Sequence, residues 1–216
     1  MSAPARPPEG DAPSRGKHVA QRQDGTPARG PAPTLVTPRL CLRPWRDADL
    51  APFAALNADA RVMRYFPAPL ARAESDALAA RIRGRLANSL FGLWAVEIPG
   101  VCGFAGFTGL CVPAFDAPFT PCVEIAWRLA RAYWGQGYAT EAARAALAYG
   151  LDTLGLDEIV AFTARVNTPS IAVMERIGMQ RDVGGDFLHP ALAPEHRLAR
   201  HVLYRARGGR HDSGRA

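Results

Sequence analysis

The stretch RAYWGQGYATEAARAALAYG, residues 131–150, sets two glycines one residue apart and then runs into an alanine-rich segment that reads as a helix. Glycine in that place either makes a turn or lets something approach the main chain closely, and the unpaired amides of a helix start favour an anion. The stretch is therefore either a plain connection or a phosphate cradle. The dinucleotide fingerprint G-x-G-x-x-G is only partly met, because Thr140 stands where a third glycine helps pack helix on strand. Asp157 and Glu158 follow about 20 residues on, but at the start of the next strand, whereas the ribose-binding acid of that fold lies at a strand end. No G-x-x-x-x-G-K-[ST] occurs, which excludes a Walker loop.

Composition bounds the choice. The chain has 216 residues, 48% of them hydrophobic, which suits one domain with a substantial core. No run approaches the ~18 apolar residues of a membrane helix, and the opening MSAPARPPEG lacks the apolar middle of a secretory signal, so the expectation is a cytoplasmic protein. Cys41, Cys102, Cys111 and Cys122 are dispersed, with no CxxC pair and no histidine at ligand spacing; they read as small apolar strand residues, and no metal is assigned. The net charge of +6 sits at the ends: residues 1–33 carry five Lys/Arg against three Asp/Glu, and residues 205–216 four Arg against one Asp. A near-neutral middle lacks the electrostatic footprint of a dedicated nucleic-acid binder. Residues 1–33 hold seven prolines and hardly a large apolar side chain. They read as a disordered leader, ahead of one folded domain over 34–206 and a flexible basic tail over 207–216.

Within the domain, RLCLRPW alternates from Arg39 as a strand does, before RDADLAPFAALNAD turns to helical spacing with Leu50, Phe53 and Leu56, capped by Asp47 or Asp49. A second helix fits roughly Arg72 to Leu90, where Leu78, Ile82 and Leu86 recur every four residues. Strands LWAVEI (93–98), GFAGFTGLCV (103–112) and CVEIAWRL (122–129), separated by Pro99-Gly100 and a 113–121 loop, form an antiparallel meander. A helix follows over Thr140 to Leu154, then the strand DEIVAFTA (157–164). TPSIAVMERIG (168–178) is a helix opened by a Thr cap and Pro and closed by Gly178, and strands near 179–187 and 197–205 end the sheet. The order β-α-α-β-β-β-α-β-α-β-β is an α/β domain with a mixed, mostly antiparallel central sheet flanked by helices.

The segment VEIAWRLARAYWGQGYATEAARAAL followed by ARVNTPSIAVMERIGM resembles the paired central motifs of the GNAT superfamily of acyl-CoA N-acyltransferases, nearest to the branch of the ribosomal-protein N-terminal acetyltransferases. The likeness runs from TPRLCLR at 37 to HVLYR at 205. The family's pyrophosphate loop, Q/R-x-x-G-x-G/A, falls on Trp134, Gly135, Gln136, Gly137, Tyr138 and Ala139; Gly137 and Ala139 match, and Trp134 replaces the customary Arg or Gln. The resemblance implies that successive amides there, through Thr140, point at the diphosphate of coenzyme A, helped by the helix dipole. It further implies that the strand ending in Trp127 and Leu129 lines the thioester with free amides, and that Asn167 contacts coenzyme A. The rival view keeps Asn167 as a turn residue and the loop as a strand-to-helix connection packed by Trp134.

An alkylammonium acceptor must lose a proton before it attacks, and the departing thiolate is helped by gaining one. If Ile125 faces the core, Glu124 looks into the acceptor cleft as a base; otherwise it is a structural carboxylate paired with Arg128 or Arg131. Many family members place a tyrosine seven residues after the asparagine to protonate sulfur; here that residue is Met174. Ser170, in the first turn of the same helix, is the natural substitute, or else a second helix-start hydroxyl. His189 is either a further base or a loop anchor. The resemblance thus implies an acetyltransferase that uses acetyl-CoA and no metal, with a protein α-amino group, a metabolite amine or a polycationic drug as acceptor. Asp182, Asp186 and Glu195 hint faintly at the acidic cleft that a polycation requires. A homodimer stays open, as do two other classes: a catalytically silent acyl-CoA sensor and an NAD-binding Rossmann oxidoreductase.

Overall fold

Short alternating runs and glycine-rich turns assemble into a single eight-stranded sheet. The computed structural model describes residues 30–209, so most of the leader and most of the tail lie outside the described residues. In chain order the elements are β1 (Leu35–Val36), β2 (Cys41–Arg43), α1 (Leu50–Ala58), α2 (Arg72–Asn88), β3 (Leu93–Ile98), β4 (Cys102–Cys111) and β5 (Glu124–Leu129). There follow α3 (Tyr138–Ala148), β6 (Glu158–Ala164), α4 (Thr168–Arg176), β7 (Gln180–Leu188) and β8 (Arg200–Arg207). The spatial order is β1-β2-β3-β4-β5-β6-β8-β7, antiparallel throughout except where β5 meets β6. That arrangement bears out the mixed α/β sheet and removes the doubly wound parallel order that an NAD-binding reading requires. The two-residue β1 adds one strand to the expected order, and Ala32, counted in the leader, is buried with its amide on the Leu86 carbonyl at 3.1 Å.

Ladder partners assign the two faces of the sheet. Phe107 pairs with Arg128 and Ala95, and its face carries Trp45, Phe53 and Phe104, an edge-to-face aromatic cluster under α1. Thr108, Trp94 and Leu110 turn the other way, where Tyr149 at the end of α3 meets Trp94 edge-on at 5.7 Å. Helix α3 lies so close to the sheet that a Cβ on Gly150 would stand 2.5 Å from Ile159 and 2.8 Å from Leu110. The helix expected to run to Leu154 keeps α geometry only to Ala148 and ends as a wider π turn, Tyr149–Thr153, with the Leu154 amide on the Tyr149 carbonyl.

Asp49 does not cap α1, as expected of it or of Asp47. Its carboxylate is buried and takes both ends of the buried Arg43 guanidinium at 2.8 and 2.9 Å, with the Arg46 amide at 2.7 Å. Glu97 takes Nε of the same arginine at 2.5 Å, and these partners hold the guanidinium protonated well above its ordinary range. Asp47 pairs instead with Arg83 of α2. Helix α4 starts from an Asn167 cap rather than from Thr168. Removing one partner of a buried pair leaves an uncompensated charge, so Asp49→Ala is expected to lower stability by about 3 kcal/mol, read from the urea midpoint at constant m-value.

Candidate functional site

The 131–150 stretch folds as a strand exit, a loop and the start of α3. Gly135 and Gly137 sit at φ 74° and 81°, which only glycine adopts without strain, and Gly137 is the residue before the first turn of α3. Among the described residues, the amides of Gly135, Gln136, Gly137, Tyr138, Ala139 and Thr140 donate to no acceptor, and residues 134–137 are exposed. The loop is braced from behind: the Trp134 indole donates to the Leu129 carbonyl at 2.8 Å and the Gln136 amide group to the Ala132 carbonyl at 3.1 Å. A residue outside the sequence reading joins it. Arg39 donates to the Gln136 carbonyl at 3.0 Å, lies over the Tyr138 ring at 4.7 Å and is held by Glu141. A cation therefore stands beside the loop although Trp134 replaces the family's usual one. Successive free amides, a helix N-terminus and a cation fit a diphosphate.

Next to the loop the sheet splits. Parallel strands β5 and β6 pair only at Glu124 and Val160, then diverge. The Ala130 amide turns toward β4, bonding the Ala105 carbonyl, so by alternation the amides of Trp127 and Leu129 turn into the opening. Gly106 of β4 comes so near β5 that a Cβ would lie 2.1 Å from the Arg128 carbonyl; β5 leans on β4 where it leaves β6. Trp127 is half-buried and Leu129 buried, and both side chains face α3.

Glu124 stands at the apex of this opening. Ile125 is buried on the α3 face, so Glu124 projects from the α1–α2 face. Its carboxylate accepts only a Cys111 thiol, at 3.6 Å, and burial pushes the carboxyl up to about 8. The structural ion pair weighed for it does not form: Arg128 bonds Asn57, and Arg131 lies on an exposed turn. The four cysteines are free and half-buried, and among the described residues no cluster of His, Cys, Asp or Glu has the makings of a metal site.

Across the opening, the Asn167 side chain donates to Thr163 at 2.8 Å and to Ser170 at 3.0 Å and accepts the Ser170 amide at 3.4 Å. These bonds make it the cap that joins β6 to α4; both Nδ2 protons are spent, and the second lone pair of Oδ1 is what remains for a further contact. Because Ser170 Oγ accepts from Asn167, its own proton is left to donate elsewhere. Met174 is buried in the core.

The α1–α2 face carries the remaining groups. Arg128 lies 4.0 Å from the Phe66 ring, on the connection between α1 and α2, and the next wall comes from the connection between β7 and β8, where Arg197 donates to the Arg64 carbonyl. His189 belongs to that wall. Its ring sits 4.9 Å from His201 among Phe115, Phe162 and Phe187, and burial holds both imidazoles below their ordinary range, hence neutral at pH 7. Its own Nδ1 accepts the Ala191 amide, the contact of a loop anchor. The acidic patch hinted at by Asp182, Asp186 and Glu195 is largely neutralised, since Asp182 pairs with Arg205 and Asp186 with Arg181.

Comparison with known proteins agrees with this geometry. Residues 39–180 match the family described as Acetyltransferase (GNAT) domain. The uncharacterised Bacillus subtilis protein YkkB is 32% identical over 146 residues, 67% of this chain and 84% of that protein. The Aspergillus fumigatus FsC-acetyl coenzyme A-N(2)-transacetylase is 32% identical over 156 residues, 68% of this chain and 65% of that one. The crystal structure of a GNAT-family acetyltransferase from Bacillus anthracis superposes with a TM-score of 0.66 at 25% identity, over 81% of this chain and 98% of its own. No helix among the described residues is long and apolar enough to cross a membrane. Free amides at the start of α3, a sheet opened beside them and these likenesses have one reading: the chain belongs to the GNAT family of acetyltransferases.

Proposed function

We propose that the protein moves the acetyl group of acetyl-CoA to a primary amine by direct attack within a ternary complex. The observation that supports this most is the run of unpaired amides from Gly135 to Thr140 at the mouth of the opening between β5 and β6. Those amides and Arg39 would hold the diphosphate, and the pantetheine arm would enter the opening. There the amides of Trp127 and Leu129 face the carbonyl oxygen, whose charge grows as the amine adds. Glu124 takes a proton from the amine, directly or through water, and Ser170 donates to the thiolate as the carbon–sulfur bond breaks. A protein α-amino group and a small-molecule amine both satisfy this chemistry. The neutralised Asp182 and Asp186 speak against a polycation.

Acetyl-CoA at about 100 times its dissociation constant is expected to add ~2.7 kcal/mol of stability, roughly 5–10 °C in melting temperature for a domain of this size, with no shift from NAD. Val at Gly137, where φ is 81°, is expected to abolish most of that shift. A silent acyl-CoA sensor would melt later with acetyl-CoA but acetylate no amine.

Glu124→Gln separates a base from a structural carboxylate. Turnover is expected to fall by about 10²–10⁴-fold while the acetyl-CoA shift persists, and the wild-type kcat/KM is expected to rise with pH through a midpoint of about 8. Stability has its own signature. A carboxyl that titrates at about 8 when folded and near 4.3 when unfolded takes up a proton on folding between those values, so it costs stability as pH rises through that window. The Gln variant is therefore expected to match wild type at pH 4 and to melt progressively later than it up to pH 9, by on the order of a few kcal/mol. A variant that melts earlier at pH 9 would show a carboxylate with a stabilising partner.

A further inference from the structure

The α1–α2 face holds a cation that the transfer chemistry does not use. Arg128 lies on the same face of β5 as Glu124, four residues on, about 13 Å from Cα to Cα at ~3.3 Å per residue. Between them stand Ala126 and its ladder partner Gly109, so the strip of sheet joining the two carries no bulk. The guanidinium is fixed. Nη1 donates to the Asn57 side chain at 2.5 Å, and Asn57 in turn donates to Ser75 of α2. Phe66 covers it at 4.0 Å and Phe107 lies at 5.3 Å.

What it lacks is an anion. Among the described residues no carboxylate pairs with Arg128, and its Nε is the one buried side-chain nitrogen or oxygen atom without a hydrogen-bond partner. Nη2 donates to nothing either and is not shut off from solvent. A buried guanidinium without a counter-charge is costly, and desolvation brings its pKa down to about 10. The Nε–Nη2 edge, the side of arginine that takes a planar carboxylate through two parallel bonds, is thus without an acceptor, with Nη2 at the solvent and Nε behind it. Phe66 and Phe107 lie in cation–π range of the guanidinium, and Nη2 is the atom of that edge that a ligand oxygen meets first.

We propose that Arg128 is the anchor for a carboxylate carried by the acceptor, so that the substrate class is an amino-carboxylic acid whose amine reaches Glu124 while its carboxylate docks on the Nε–Nη2 edge. This rests on the acetyl-transfer reading above and narrows it. A free amino acid and the acidic end of a short peptide share the chemistry, and the test separates them.

The experiment measures kcat/KM of the full-length protein with acetyl-CoA and matched acceptor pairs: amino acids of one- to five-carbon spacing against their carboxamides, and dipeptides against their C-terminal amides. The carboxylate member of at least one pair is expected to be favoured by about 100-fold or more, mainly through KM, and whether that pair is free or peptidic names the source. In Arg128→Gln the preference is expected to collapse to within a few-fold. Comparable use of both members of every pair by the wild type overturns the inference and leaves the transferase reading standing. A preference that survives in Arg128→Gln also overturns it. Transfer to no amine at all, with acetyl-CoA still raising the melting temperature, overturns both readings together. The wild-type comparison stands even if the variant fails to fold.

Discussion

One residue pair controls the architecture of the site. β5 and β6 are parallel, and they touch in register only at Glu124 and Val160. A parallel pair that continued would spend the amides of Trp127 and Leu129 on β6 and close the sheet. Ending it after one pair leaves those donors unspent, opens a slot in the middle of an otherwise continuous sheet and sets Glu124 at its apex. The slot survives because each strand is held on its other side: β5 runs in full register with β4 from Gly106 to Cys111, and β6 with β8 over Glu158 to Ala164. Helix α3 leaves β5 through the two glycines, which puts its unpaired amides at the mouth of the slot. The free amides before α3 and the slot beside them are thus consequences of the same broken ladder.

The chain treats its withdrawn charges in opposite ways. Arg43 has Asp49, Glu97 and the Pro44 and Gly103 carbonyls, a closed set of acceptors that fastens β2, β3, β4 and the start of α1 together. Glu124 has one thiol, and Arg128 one amide oxygen. The desolvation cost is met in the first case and left outstanding in the other two. Unmet cost in a stable fold marks positions kept for something other than stability. Both lie on one strand and one face.

Local chemistry was legible in the sequence and long-range pairing was not. Strand β3 falls on the residues expected, and the ends of β4, β6 and α4 shift by two residues or fewer, because Pro99-Gly100, Gly178 and the short apolar run LWAVEI act within a few positions. The loop around Gly135 and Gly137 was readable for the same reason: two glycines before a helix define the backbone without help from elsewhere. The expected helix end at Leu154 holds because apolar spacing continues through Leu151 and Leu154, but spacing does not distinguish the π turn over Tyr149–Thr153 from an α turn, and it is there that Gly150 lies against the sheet. Arg39 is 97 residues from Gln136 and Asn57 is 71 from Arg128, so neither partnership leaves a trace in spacing. Asp49 read as a cap because Asp before an apolar run usually is one; the buried arginine six residues earlier outcompeted the helix amides for its carboxylate.

The two outstanding charges complement each other. In the proposed complex the two ends of a zwitterionic amino-carboxylic acid would meet two under-partnered groups: the carboxylate the Arg128 cation, and the ammonium Glu124, whose carboxyl burial keeps protonated below about pH 8. Seating the carboxylate would relieve the desolvation cost that Arg128 carries in the empty protein, which would select against amines lacking it. The same arrangement serves the proton transfer. A carboxyl raised to about 8 is closer to an α-ammonium near 8, or an alkylammonium near 10, than an ordinary glutamate at 4.3, so the proton moves between groups of similar affinity. In the proposed reaction the amine would give its proton to Glu124 while negative charge built on the thioester oxygen against the amides of Trp127 and Leu129. Arg128 would take no part in that step; by holding the far end of the acceptor, it would fix where the nitrogen stands when the proton leaves.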